Sequence, residues 1–160
     1  MSFMGKQDNI FEDGNLSGLP FTFNQEVTEV FEDMIRRSVP GYLTSLRLIT
    51  QYTKNYYQPE TNCYDIGCSL GASSLSILQA RQDAKIIAID NSEAMVRQAQ
   101  SQSIDVQFNY QFQTGDIQQL EPLNDAACIV CNLVLQFTSL DMRKPIIDSL
   151  FNQLNPGGVL

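Results

Sequence analysis

The sequence of 160 residues contains no histidine. This absence excludes histidine-based catalytic triads, histidine-ligated metals and histidine general bases from the chain. Long hydrophobic runs are also missing: the most apolar stretches lie near residues 86–89 and 128–135. They are far shorter than the roughly 20 residues that a membrane-spanning helix needs. We therefore expect a soluble protein without a membrane partner.

Basic residues are scarce. The 10 lysines and arginines stand against 18 acidic residues, and the formal net charge is −8. Binding to a phosphate backbone relies on Lys and Arg, so direct contact with nucleic acid is disfavoured. The N-terminus has Lys6 but no apolar segment behind it, unlike a secretory signal, which predicts a cytoplasmic protein.

Hydrophobic residues make up 43% of the chain, enough for one sizeable core. Residues 1–60 are interpreted as an N-terminal arm, irregular to about residue 20, followed by a helical cover. Apolar spacing predicts helices over residues 26–38, with Asn24 near the cap, and over residues 42–57. The second helix is followed by the breaker Pro59.

From residue 61 onward, short apolar segments alternate with amphipathic ones. The pattern predicts strands at 62–66 and 85–90 and within 105–113 and 127–132, and helices at 72–81, 93–101 and 141–154. Such alternation is typical of a parallel sheet with right-handed crossovers. Residues 61–160 are therefore expected to form an α/β Rossmann-like core.

The last residues, 155–160, contain a Pro-Gly-Gly turn followed by Val159 and Leu160. This order predicts a helix exit and a fifth strand that begins near Gly158. We expect the chain to end inside that strand, so that the core is incomplete at its C-terminus.

The most informative segment is Y-D-I-G-C-S-L-G-A at residues 64–72, between a predicted strand and a helix. Gly67 and Gly71 permit a tight turn and close approach of a ligand to the backbone. The G-x-G-x-x-G spacing of dinucleotide-binding proteins is absent, which weighs against NAD. An acidic residue before the loop, Asp65, the shortened glycine pattern and Asp90 at the end of the next predicted strand instead favour an amino-acid-bearing nucleoside, S-adenosylmethionine.

Three further positions place polar residues at consecutive strand ends, the usual ligand edge of an open α/β sheet. Asp90, beside Asn91, suits the ribose hydroxyls, although it could simply cap the next helix. Asp116 suits the adenine amino group, with Ile117 packing on the ring, unless it belongs to an ordinary turn. Asn132 completes the row, or only terminates a strand.

Two motifs support competing interpretations. Cys128-x-x-Cys131 resembles a redox or metal motif, but residues three apart on a strand point to opposite faces, so we expect buried, reduced thiols, no disulfides and no metal. Gly67-x-Ser69-x-Gly71 matches a hydrolase nucleophile elbow. The missing histidine argues against a hydrolase.

The sequence resembles the carboxy-S-adenosyl-L-methionine synthases, within the class I methyltransferase superfamily. The resemblance covers most of the chain and rests on F-E-D-M-I-R-R-S-V-P-G-Y at 31–42, the glycine segment at 64–72, I-I-A-I-D-N-S at 86–92 and L-N-P-G-G at 154–158. The first passage and the C-S-L-G form of the loop are the most discriminating, and Ser69 replaces a glycine common in the superfamily.

The resemblance implies that S-adenosylmethionine and prephenate are converted to carboxy-S-adenosylmethionine and phenylpyruvate, for use by a separate enzyme that modifies the wobble uridine of tRNA. It also implies a homodimer, and a basic residue beyond Leu160 that holds the additional carboxylate. A conventional methyltransferase and a noncatalytic cofactor-binding module remain alternatives. The implied cofactor contacts are Tyr42, Gly67, Cys68, Ser69, Asp90, Asn91, Asp116, Ile117 and Asn132.

Overall fold

The computed structural model of the protein describes residues 25–102 and 109–160. The expected irregular arm and Asn24 lie outside these residues. The strands are β1 (Asn62–Ile66), β2 (Lys85–Asp90), β3 (Tyr110–Thr114), β4 (Ala126–Val130) and β5 (Leu154–Val159). The helices are α1 (Gln25–Ser38), α2 (Tyr42–Tyr56), α3 (Ala72–Ala80), α4 (Glu93–Gln102) and α5 (Leu140–Asn152), with 3₁₀ turns at Ile117–Gln119 and Leu135–Phe137.

The strands form a single parallel sheet in the order β3-β2-β1-β4-β5. The chain builds outward from β1 in one direction and then returns to add β4 on the other side. The boundary between β1 and β4 is therefore the topological switch point, where the following loops diverge and leave a crevice. This architecture confirms the predicted Rossmann-like α/β fold.

The central strands are buried on both faces, as expected for a parallel sheet covered by helices. On one face, Cys63 and Cys128 pack with Ile77 of α3. On the other face, Tyr64 and Ile129 belong to a second cluster, which α5 completes. Alternate residues of β1 thus enter opposite halves of the core.

The two N-terminal helices lie against the core. Helix α2 packs on α3, where the Thr50 hydroxyl donates to the Ser76 carbonyl at 3.1 Å. Helix α1 contacts α4 through Phe31 and Met95. Across the described ranges, no helix combines the length and apolar character needed to span a bilayer.

The structure corrects three expectations about the strands. β5 begins at Leu154, so the predicted start near Gly158 is wrong, and the strand runs six residues. Its pairing with β4 shifts register between Ala126 and Cys128, across the Pro-Gly-Gly segment. β3 extends beyond the predicted segment to Thr114, and β4 ends at Val130, which places Asn132 just after the strand.

Candidate functional site

A cavity of about 520 Å³ lies at the carboxyl ends of the strands and beneath the C-terminal half of α1. Its volume is within the range usual for small-molecule sites, about 300–1,000 Å³. Part of its lining is apolar, and the rest carries polar groups. Seven of the nine residues predicted to contact the cofactor line it: Gly67, Ser69, Asp90, Asn91, Asp116, Ile117 and Asn132.

The loop between β1 and α3 is shaped by left-handed backbone conformations. Gly67 has φ 71° and Gly71 has φ 85°. A Cβ at Gly67 would overlap the Val134 side chain, and one at Gly71 would lie 2.5 Å from the Tyr110 hydroxyl. Both glycines are therefore required by conformation and by space.

Ser69 also adopts a left-handed conformation, with φ 48°, which is uncommon for a residue with a side chain. Its backbone N–H donates to Asp90 Oδ2 at 2.8 Å. This bond from the end of β2 compensates for the unfavourable conformation and fixes the loop over the cavity. Ser69 therefore occupies a glycine-like position while keeping a hydroxyl group.

Asp90 links two loops. Its Oδ2 accepts from Ser69, and its Oδ1 accepts from the Ser92 N–H at 2.8 Å. The cap of α4 is Ser92, whose hydroxyl oxygen accepts from the Met95 N–H. Burial raises the pKa of Asp90, while the two backbone N–H groups oppose this shift. Each oxygen keeps a second acceptor position, so capping does not exhaust the carboxylate.

Asp116 and Ile117 follow β3. Asp116 Oδ1 accepts from the Gln118 N–H at 2.9 Å, which begins the 3₁₀ turn at Ile117–Gln119. The Asp116 carboxylate is thus held at the cavity by its own turn, with Oδ2 available as an acceptor. The turn interpretation and a ligand role are compatible at this residue.

Asn132 follows β4 and completes the row of polar side chains. Its Nδ2 donates to Ser73 Oγ at 3.4 Å, a long hydrogen bond. Ser73 itself is buried in the first turn of α3. The ends of β1, β2, β3 and β4 thus bring the predicted polar groups to one cavity, as strand order in an open α/β sheet requires.

Two predicted contacts, Tyr42 and Cys68, are not among the described residues that line the cavity. Tyr42 is buried at the start of α2; burial and the nearby charges of Glu32 and Asp65 raise its pKa to about 12, while Arg36 opposes the shift. The Cys68 side chain is buried as well. Cys68 belongs to the glycine loop and lies between Gly67 and Ser69, both of which line the cavity.

Asp65 was not among the predicted site residues. It is 1% exposed on β1, and its Oδ2 accepts from the Ser74 hydroxyl at 2.6 Å. Burial raises its pKa to about 6, against the opposing effect of the hydrogen bonds from Ser74. A carboxyl beneath the glycine loop is therefore tied to α3. Its position two residues before Gly67 was its sequence signal.

The apolar wall was also missed. Its residues belong to two parts of the chain. The first is α1 with the residue directly after it, and the second is the segment after β4 that contains a 3₁₀ turn. Amphipathic spacing indicates that α1 buries one face but not what that face covers. The apolar residues of this wall are Phe31, Met34, Ile35, Val39, Leu133, Val134 and Phe137.

The cysteines are free thiols. Cys63 and Cys128 are register partners on the neighbouring strands β1 and β4, and both belong to the core. Cys131 lies beyond the end of β4, so the opposite-face argument does not apply to it. Within the described parts of the chain, no three Cys, Asp or Glu residues are grouped so that they could hold a metal ion.

The chain is 40% identical, over 98% of its length, to the carboxy-S-adenosyl-L-methionine synthase of Idiomarina loihiensis and, over the same share, to that of an Enterobacter species. It spans 66% and 65% of those relatives. These matches confirm the resemblance found in the sequence motifs.

Among solved structures, magnesium protoporphyrin IX methyltransferase from Synechocystis with bound SAM superimposes with a TM-score of 0.62. The two proteins are 22% identical, and the match covers 88% of this chain and 62% of that one. At this identity, the likeness supports the fold alone. Residues 64–158, from the second half of β1 into β5, match the methyltransferase domain family. The chain therefore belongs to the methyltransferase domain family.

Proposed function

We propose that the cavity binds S-adenosylmethionine and that the protein uses it, with prephenate, to form carboxy-S-adenosylmethionine and phenylpyruvate. The observation that carries the proposal is the convergence of Asp90, Asp116 and Asn132 on one cavity beside the glycine loop. The 40% identity to the two carboxy-S-adenosyl-L-methionine synthases supports this reaction over others of the superfamily.

The donor set fits this ligand. Its ribose hydroxyls and adenine amino group are hydrogen-bond donors, and Asp90 and Asp116 each keep acceptor capacity at the cavity. Ile117 provides an apolar surface for the adenine ring. The sulfonium and ammonium groups are cationic, and both carboxylates favour them electrostatically.

The glycine loop supplies the other half of the site. Gly67 and Ser69 bring the backbone close to the ligand because neither left-handed position places a bulky side chain there. The resemblance adds Cys68, through its backbone, and Tyr42 as further contacts. Residues 1–60 would act as the cover and residues 61–160 as the core, with the apolar face of α1 excluding water.

In the proposed reaction, prephenate loses its ring carboxyl group as carbon dioxide and its hydroxyl group. The cofactor methyl group loses a proton and gains the carboxyl carbon, and the proton and hydroxide leave as water. The chain's own residues bind and orient the cofactor for this exchange.

The surrounding biology follows from the same resemblance. A negative chain that handles small anions and a nucleoside has no need to bind RNA, so we propose that its product is passed to a separate enzyme for wobble-uridine modification. A cytoplasmic homodimer is part of this proposal.

Mass spectrometry of the small molecules retained by the purified protein tests the proposal. The protein is then incubated with S-adenosylmethionine and prephenate, and the products are detected in the same way. We expect a cofactor whose mass rises by one carboxyl group, and only when prephenate is present. No cofactor binding by a demonstrably folded chain would overturn the central claim.

The methyltransferase domain match favours one second candidate, a conventional methyltransferase. That enzyme would form S-adenosylhomocysteine and a methylated acceptor without prephenate. The same incubation, carried out with and without prephenate, separates the two products. Cofactor binding without either product would favour a binding module.

A further inference from the structure

Ser73 connects α3 with the end of β4. It is 7% exposed in the first turn of the helix. Its hydroxyl oxygen accepts the 3.4 Å hydrogen bond from Asn132 Nδ2, although the two residues are 59 positions apart in the chain. Ser73 is not among the described residues that line the cavity, whereas Asn132 is. Any effect of Ser73 on a ligand is therefore expected to pass through Asn132.

In the structure the Asn132 amide turns its nitrogen towards Ser73 Oγ. An asparagine side chain carries an acceptor oxygen and a donor nitrogen of nearly the same shape, and only the surrounding partners distinguish its two orientations. With Nδ2 directed to Ser73, Oδ1 points the other way. Asn132 thus presents an acceptor oxygen that meets no donor of the described residues.

The position of this acceptor in the sheet indicates which end of the ligand it meets. Asp90 and Asp116 follow β2 and β3, on one side of β1, and Asn132 follows β4 on the other side. If the nucleoside lies against the two carboxylates, the amino-acid end extends across the glycine loop towards β4. The hydrogen-bond donor at that end is the ammonium group.

We propose that Ser73 is a positioning residue, which holds the Asn132 amide so that Oδ1 accepts a hydrogen bond from the cofactor ammonium group. This inference rests on the proposed binding of S-adenosylmethionine. The neighbouring Ser74 has a different task, because its hydroxyl donates to Asp65. Two consecutive serines thus connect α3 separately to β4 and to β1.

A double-mutant cycle tests the proposal, with Ser73→Ala, Asn132→Ala and the double variant. Calorimetry would measure binding of S-adenosylhomocysteine, which has the amino-acid end, and of 5′-methylthioadenosine, which lacks it. Loss of a typical hydrogen bond predicts S-adenosylhomocysteine binding weaker by a factor of roughly three to ten in Ser73→Ala. The double variant should bind like Asn132→Ala, and 5′-methylthioadenosine should bind equally to all four proteins.

Ser76→Ala is the matched control. Ser76 is another buried serine of α3, but its hydroxyl donates within the helix to the Ala72 carbonyl. This variant should keep wild-type affinity for both ligands. A merely structural effect of Ser73→Ala would weaken both ligands alike, and that result would overturn the proposal.

The remaining outcomes are also decisive. Two results would refute the positioning role and leave cofactor binding intact. The first is an unchanged affinity for S-adenosylhomocysteine in Ser73→Ala. The second is a double variant whose loss of affinity equals the product of the losses in the two single variants. Failure of the folded wild-type protein to bind either ligand would instead refute the proposed function, and the role of Ser73 with it.

Discussion

The Ser69 N–H donates to Asp90 Oδ2 at 2.8 Å, so the end of β2 holds the glycine loop that follows β1. This contact gives Asp90 two tasks, because the carboxylate both fixes the loop and keeps acceptor positions at the cavity. The loop geometry and the proposed ligand recognition therefore depend on the same side chain. The first prediction concerns that dependence.

Asp90→Ala should weaken S-adenosylmethionine binding by about tenfold to a hundredfold, since a hydrogen bond to a charged group contributes about 1.5–3 kcal/mol. Calorimetry measures this change. Asp83→Ala is the control, because Asp83 is an exposed aspartate paired with Arg81 at 2.9 Å, away from the cavity. Unchanged affinity in a folded Asp90→Ala protein would refute the ribose assignment.

Gly71→Ala should destabilise the fold. Its Cβ would lie 2.5 Å from the Tyr110 hydroxyl, in a left-handed backbone with φ 85°. Overpacking of this kind costs about 1–3 kcal/mol, and the left-handed conformation adds about 1–2 kcal/mol for a residue with a Cβ. The free energy of unfolding in urea measures the sum.

Gly41→Ala separates these two costs. Gly41 has φ 80°, but a Cβ there meets no atom within 4 Å. This variant should therefore lose only the conformational part, about 1–2 kcal/mol. Equal losses in the free energy of unfolding of Gly71→Ala and Gly41→Ala would mean that the Tyr110 side chain moves away from the new methyl group.

The thiols should react in the order of their exposure. Cys63, Cys68 and Cys128 are buried, whereas Cys131 is partly exposed. Burial and the nearby Asp65 raise the pKa of Cys131 to about 11, so even this thiol should react slowly at neutral pH. A chromogenic disulfide reagent should label Cys131 first and the others only after unfolding.

Cys131→Ser checks that assignment, since it should remove the first phase of labelling and leave the later phase unchanged. A first phase that persists in this variant would show that a thiol assigned to the core is accessible. Rapid uptake of a stoichiometric zinc ion by the native protein would contradict the expectation that Cys128 and Cys131 bind no metal.

Much of the sheet could be predicted from local pattern. The bounds of β1 and β2 agree with the sequence because apolar runs there end at a glycine loop and at Asp90. The sequence predicts too late a start for β5 because Asn155 to Gly158 have turn propensity. At the outer position of the sheet, tertiary pairing overrides that propensity, and a register shift accommodates Pro156.

The site was predictable where it depends on strand ends alone. Asp90, Asp116 and Asn132 follow three different strands, and a parallel sheet brings such positions to one edge. The contact of Ser73 with Asn132 was not predictable, because it depends on the placement of α3 beside β4. The same holds for the apolar wall, since periodicity does not specify which surface α1 covers.

Asp65 should make stability depend on pH. Its carboxyl group has a pKa of about 6 in the fold, against 3.8 without the shift. Between these values the folded state binds more protons than the unfolded state, so this group lowers stability as the pH rises through the window. Above the pKa of Asp65 in the folded state, the resulting loss in free energy of unfolding is complete and amounts to roughly 3 kcal/mol at most.

Asp65→Asn should remove that penalty and keep an acceptor oxygen for the Ser74 hydroxyl, which donates to Asp65 Oδ2. Urea unfolding of both proteins, from mildly acidic to neutral pH, isolates the effect as a difference between them. The variant should gain stability relative to the wild type as the pH rises, because only the wild type then buries a charge beneath the glycine loop. A difference that does not change with pH would show that Asp65 titrates alike in the folded and unfolded chains, and burial would then not be the dominant influence on this carboxyl.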